Sequence, residues 1–189
     1  MEKGGFREAL KQAGVCRGMA VHFPDEMRLG LRGQVRRVLA PRGVKVRQKL
    51  QLRYVWRYLV VAVDPRQATV HWQWTERMSA QALAPLFEAW KLSCVVWDGA
   101  PAHRSGRMAE VPMKRIPQPA YSPELNPAER IIEEVRRHTE GVVYASIEEK
   151  QQAAERYLRG LQRDPEQVQR LCGWAWIEEA LADLPPAPR

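Results

Sequence analysis

The chain has 189 residues, 45% of them hydrophobic, enough to bury the core of one compact domain, and its 30 lysines and arginines outweigh 22 acids for a formal charge of +8. That balance favours a polyanionic partner over an acidic surface role. Cys16, Cys94 and Cys172 are widely separated and form no CxxC pair, which argues against a zinc site or a disulfide framework, and no apolar run approaches the roughly 20 residues of a membrane span.

The opening 18 residues are expected to be a short extension without a signal-like apolar stretch, so the protein is expected in a reducing cytoplasm. "GMAVHF" (18–23) then predicts a first strand that delivers Pro24-Asp25-Glu26 at its end, and "QVRRVLA" (34–40) a second. "RYVWRYLVVAV" (53–63) and "ATVHWQW" (68–74), joined by Asp64-Pro65-Arg66-Gln67, predict an antiparallel hairpin. The period then changes. Leu83, Leu86, Phe87 and Trp90 make 78–90 a helix with Ser79 as its cap and Pro85 as a kink or early break. "LSCVVWD" (92–98) reads as a strand buried on both faces, Pro101 suits the first turn of a helix, and "VPMKRIPQP" (111–119) is expected at a sheet edge. Asn126, Pro127 and Glu129 form the pattern of a capping box opening a helix to about His138, and Ser146 with Glu149 opens another to about Leu161. A last helix spans 165–181, followed by a loose tail. Strands first and helical crossovers later predict an α/β fold with a mixed sheet, its first strands antiparallel, as in ribonuclease H-like domains. The expected organisation is an extension (1–18), a core (19–145) and C-terminal helices (146–189).

Charge is unevenly spread. From Met27 to Val63 there is no acid, while Arg36, Arg37, Arg42, Lys45, Arg47 and Lys49 all fall in that interval. Tyr54, Trp56 and Tyr58 interleave with its end, where a buried strand is the favoured reading over base stacking.

Three carboxylates lie near expected element ends: Asp25 after the first strand, Asp98 closing "CVVWD", and Glu129 in the first turn of a helix. Carboxylates converging from separate elements suit two divalent ions that polarise a phosphodiester. "FPDE" (23–26), "VVWDGAPAH" (95–103) and "YSPELNPAER" (121–130) resemble the three signature segments of mariner-type transposases with a DDE triad, especially the bacterial branch named after insertion sequence 630. The resemblance covers about residues 20 to 145, and the third segment is the most specific.

It implies that Asp25, Asp98 and Glu129 bind two Mg²⁺ ions, with Mn²⁺ as a substitute, for DNA cleavage and strand transfer. Glu26 rivals Asp25, but neighbours on an extended segment point to opposite faces. His103 matches the histidine of the second segment and is expected to touch nucleic acid or support the site, while Tyr121, Ser122 and Asn126 are expected to hold the turn rigid. Gly99 stands where the family usually has Asn, and Leu39 where Trp is common. The family usually carries an N-terminal helix-turn-helix region, whereas about 20 residues precede the first strand here, so a catalytic domain alone is expected. Its partners would be DNA, a second copy as a homodimer, and a separate helix-turn-helix protein or upstream frame, with the chain associated with the nucleoid. Two alternatives stay open: a non-catalytic DNA-binding remnant, and a ribonuclease H-like nuclease acting on other nucleic acids.

Overall fold

The computed structural model describes residues 3–33, 39–100, 103, 106–119 and 121–186. The central strand explains the sheet. In β2 (Trp56–Asp64), Leu59, Val61 and Val63 face one side and Val60 and Ala62 the other, and all five are fully buried. Such a strand needs cover on both faces. It pairs antiparallel with β1 (Phe23–Gly30) on one edge and β3 (Thr69–Thr75) on the other. A second pair, β4 (Cys94–Trp97) and β5 (Lys114–Pro117), is parallel. His22 joins the two pieces: its N–H donates to Cys94 and its carbonyl accepts from Val96, both at 2.9 Å. The strands therefore run in the order 3-2-1-4-5, the mixed, ribonuclease H-like arrangement expected, with β5 at the edge.

Helices cover both faces. On one, α2 (Ala80–Ala89) and α3 (Gly106–Ala109) bury Leu83, Phe87 and Met108 against Val60, Val95 and Trp97. Pro85 lies inside α2 and does not break it, since the helix continues to Ala89. The other face is covered by α4 (Ala128–Thr139), α5 (Ile147–Gln162), α6 (Pro165–Cys172) and α7 (Ala175–Ala182), together with α1 (Lys3–Gln12).

Several boundaries depart from expectation. The first strand runs from Phe23 to Gly30 rather than 18–23, because eight residues of β1 pair with Val63 back to Trp56, which outweighs the poor strand propensity of Pro, Asp and Glu. Residues 34–38 of the expected second strand, including Arg36 and Arg37, lie outside the described residues, as does Pro101, while Leu39 and Ala40 are exposed and non-helical. Residues 165–181 are two helices, not one. They part at Gly173, where a Cβ would sit 2.3 Å from the Gln169 amide nitrogen. The tail is not loose at its start: Leu184 is buried, and the Pro185 carbonyl accepts the Arg17 N–H at 2.7 Å. Near the other terminus, Phe6 and Leu10 are buried, and Phe6 meets Trp176 edge-on at 5.2 Å. Tyr54 and Trp56 are exposed rather than core, their rings lying under the guanidinium groups of Arg32 and Arg28. Among the described residues no helix is long and apolar enough to cross a membrane.

Candidate active site

Asp25 sits inside β1, not after it, so the pleat decides its direction. It pairs with Val61, whose side chain joins the α4 side of the sheet, while Glu26 pairs with Val60, which joins the α2 side. Asp25 thus faces α4, and Glu26 turns to the opposite face. The Glu26 N–H donates to Asp25 Oδ1 at 2.7 Å. Burial first, then the charge of Glu129, with further repulsion from Glu26 and Asp98, pushes the Asp25 carboxyl up to about 8.

Asp98 follows Trp97 at the end of β4. Its Oδ1 accepts the Ala100 N–H at 3.1 Å and lies 2.7 Å from His103 Nδ1. The His103 ring is buried, stacked on Trp97 with centroids 3.5 Å apart, and its Nε2 is 3.4 Å from Glu26 Oε1. His103 is therefore not on a surface open to nucleic acid. It links the Asp98 carboxylate to Glu26, and that link between strands β1 and β4 is a site feature the linear sequence does not display.

Glu129 stands in the first turn of α4. Its carboxylate does not close a capping box: the Asn126 N–H donates instead to the Pro123 carbonyl at 2.9 Å. Buried Asn126 does different work. Its Oδ1 accepts the Ala128 N–H and its Nδ2 donates to the Pro24 carbonyl, each at 3.0 Å, fastening the start of α4 beside Asp25. Asn126→Ala loses both bonds and leaves a buried carbonyl without its donor, so a loss of ~2–3 kcal/mol in urea unfolding is expected.

Asp25, Asp98 and Glu129 all line one open cleft of about 500 Å³, with Gly99, Gln118, Tyr121, Ser122 and Asn126 also on its wall. Tyr121 does not brace the turn through its ring: its side chain is 102% exposed, and its backbone has φ 56°, a left-handed conformation unusual for a non-glycine residue. Of the expected phosphate-contacting residues, Arg42, Lys45, Arg47 and Lys49 are exposed along residues 39–50, which form no helix or strand. The chain after them returns beside β1, where the Leu31 and Gly33 N–H groups donate to the Val55 and Gln51 carbonyls at 2.8 and 2.9 Å.

Hard oxygen donors are the chemistry that Mg²⁺ or Mn²⁺ requires. Each of the three carboxylates keeps at least one oxygen without a hydrogen-bond donor among the described residues. As the side chains lie, no three acidic, histidine or cysteine groups among the described residues are close enough to grip one ion. Holding an ion requires the carboxylates to draw inward, and their mutual repulsion at Asp25 is what a cation would relieve. The donor set fits on that ground.

A family profile described as DDE superfamily endonuclease matches residues 20–152. No curated protein sequence matches the chain. Among solved structures, the Mos1 strand transfer complex aligns at 14% identity with a TM-score of 0.67, covering 99% of this chain and 60% of that one. Mos1 mariner paired-end complexes with Mn and with Mg align at 13% and 12% identity with TM-scores of 0.61 and 0.59, each covering 98% of this chain and 61% of theirs. The chain thus spans about three fifths of the length of the structures whose fold it shares.

Proposed function

The chain belongs to the DDE superfamily endonucleases, and from that premise we propose that it is the catalytic domain of a transposase, which cleaves DNA and joins the freed 3′ ends to target DNA. The observation that carries this reading is the convergence of Asp25, Asp98 and Glu129, from β1, the end of β4 and the start of α4, on one cleft. The three signature segments fit the bacterial branch named after insertion sequence 630. The shared fold with a strand transfer complex, and with complexes prepared with Mn and Mg, supports the same assignment.

Asp25, Asp98 and Glu129 would hold two Mg²⁺ ions, or Mn²⁺ in their place, and the bound ions would supply Lewis-acid polarisation of the phosphodiester. The protein's own contribution is placement. Asn126 fixes Glu129 beside Asp25, and His103 steadies one oxygen of Asp98, whose other oxygen has no hydrogen-bond donor among the described residues. In the first step water attacks phosphorus and the P–O3′ bond breaks, leaving a 3′-hydroxyl and a 5′-phosphate. In the second, that hydroxyl attacks a target phosphodiester, a new P–O3′ bond forms, and the target's own 3′-oxygen departs. Arg42, Lys45, Arg47 and Lys49 would contact backbone phosphates, giving affinity that carries little sequence information. Recognition of element ends would call on a helix-turn-helix region or partner, and pairing of two ends on a homodimer.

Plasmid nicking and oligonucleotide strand transfer test the reading directly. With Mn²⁺ or Mg²⁺, and not with EDTA, both nicked plasmid and joined product are expected. Nicking without joining would instead identify a general nuclease, and the absence of both a DNA-binding remnant.

A further inference from the structure

Several arginines on this surface are neutralised locally: Arg7 pairs with Asp183, Arg107 with Glu88 and Glu110, Arg130 with Glu133, Arg137 with Glu134, and Arg159 with Glu155. One concave region gathers cations that lack such pairs. A cavity of about 670 Å³ between β1, the residues following it and the C-terminal end of α4 is lined by Arg28, Arg32, Lys49, Arg136 and Lys150. None of these five has a carboxylate partner among the described residues. Arg28 and Arg32 lie over the rings of Trp56 and Tyr54, at 5.3 and 4.6 Å. Lys150, only 8% exposed, donates to the Gly30 carbonyl at 2.7 Å, and an ammonium has two further N–H groups to give.

The cavity is aligned with the active site. Helix α4 starts beside Asp25, where Asn126 bonds the Pro24 carbonyl, and ends beside the residues after Gly30, so helix and strand run side by side in the same sense. Glu129 and Arg136 are two turns apart on one face of α4, about 10 Å. From Asp25 to Gly30 along β1 is about 17 Å. With one phosphate per 3.4 Å of rise on each strand, that separation is roughly three to five nucleotide steps. Five cations against a single acid on the same wall, Glu140, in a concavity at that distance along a shared strand and helix, match a polyanion that runs past both places.

We propose that the cavity formed by Arg28, Arg32, Lys49, Arg136 and Lys150 is a phosphate-binding site for the DNA backbone, holding the duplex a few nucleotides from the cleft of Asp25, Asp98 and Glu129. The α4 and α5 cations, Arg136 and Lys150, thereby join the basic segment that follows β1 in one site. This rests on the transposase reading, since it takes DNA as the substrate, but its test does not depend on cleavage.

The test is binding of a fluorescein-labelled 30-base-pair duplex in EDTA, followed by anisotropy across a series of KCl concentrations. The double variant Lys49→Gln, Arg136→Gln changes two exposed side chains, and its slope of log K against log salt is expected to be shallower than wild type by about 1.8, or 0.9 per lost phosphate contact. The control double variant Arg159→Gln, Arg163→Gln, which loses the same net charge at the far end of α5, is expected to keep the wild-type slope. An unchanged slope in the cavity variant, or an equal change in the control, overturns the proposal. Nicking by the same samples in Mn²⁺ reports separately on the carboxylates, so failure of the transposase reading would show as absent nicking with the slope difference intact.

Discussion

Asp98→Asn is expected to fold as the wild type does and to lose metal-dependent DNA nicking by roughly 10³-fold, ~4 kcal/mol of barrier. The amide keeps the size of the side chain, and its oxygen can still accept from the Ala100 N–H and lie against His103. What it removes is the negative charge. Because the Asp98 side chain is 62% exposed, its charge contributes little to folding, and an unchanged urea midpoint is the expected companion result. Calorimetric titration with Mn²⁺ should show weakened binding in the same variant. Undiminished nicking would remove Asp98 from the reacting centre and with it the assignment of the cleft.

The second large effect is on stability and has a defined pH dependence. Asp25 is raised from an unfolded value of 3.8 to about 8, mainly by burial and then by Glu129. Between those two values the folded chain holds a proton that the unfolded chain has released, so stability is fully present below about 4 and is lost as pH rises toward 8, by up to ~1.4 kcal/mol per unit. Asn at this position has no proton to hold. Asp25→Asn is therefore expected to be more stable than wild type by ~2–4 kcal/mol at pH 8, with the gain shrinking to nothing near pH 4. Mn²⁺ should narrow or cancel that gap at pH 8. A cation favours ionised Asp25, and saturation at about 100 times Kd adds ~2.7 kcal/mol to wild type but not to the variant. Urea unfolding at several pH values, with and without Mn²⁺, measures both effects. A variant no more stable than wild type at pH 8 would mean that Asp25 is not held against neighbouring charge.

Some of this protein is readable residue by residue. The hairpin of β2 and β3 shows in β-branched and aromatic runs flanking Asp64-Pro65, and α5 shows in Ser146 and Glu149, where Ser146 Oγ accepts the Glu149 N–H at 3.2 Å as a cap should. The break at Gly173 and the first strand were harder. In β1 the local preference of Pro24, Asp25 and Glu26 opposes a strand, and pairing with β2 overrides it, a conflict of a kind common where function rather than stability sets the residue. Helix α1 was hidden because its apolar signal is confined to Phe6 and Leu10, a pair whose value depends on the distant α7.

The sequence alone determined the chemistry available: three carboxylates in distinctive segments, a basic interval without acids, and enough apolar residues to sandwich a mixed sheet. Only the tertiary structure decided directions. The strand pleat sent Asp25 to α4 and Glu26 to His103, Asn126 spent its side chain on Pro24 instead of a capping box, and α4 carried Arg136 to the basic segment. Residue type is local and can be read along a chain. Which face a side chain takes depends on the register of the paired strand, and which charges meet depends on elements distant in sequence.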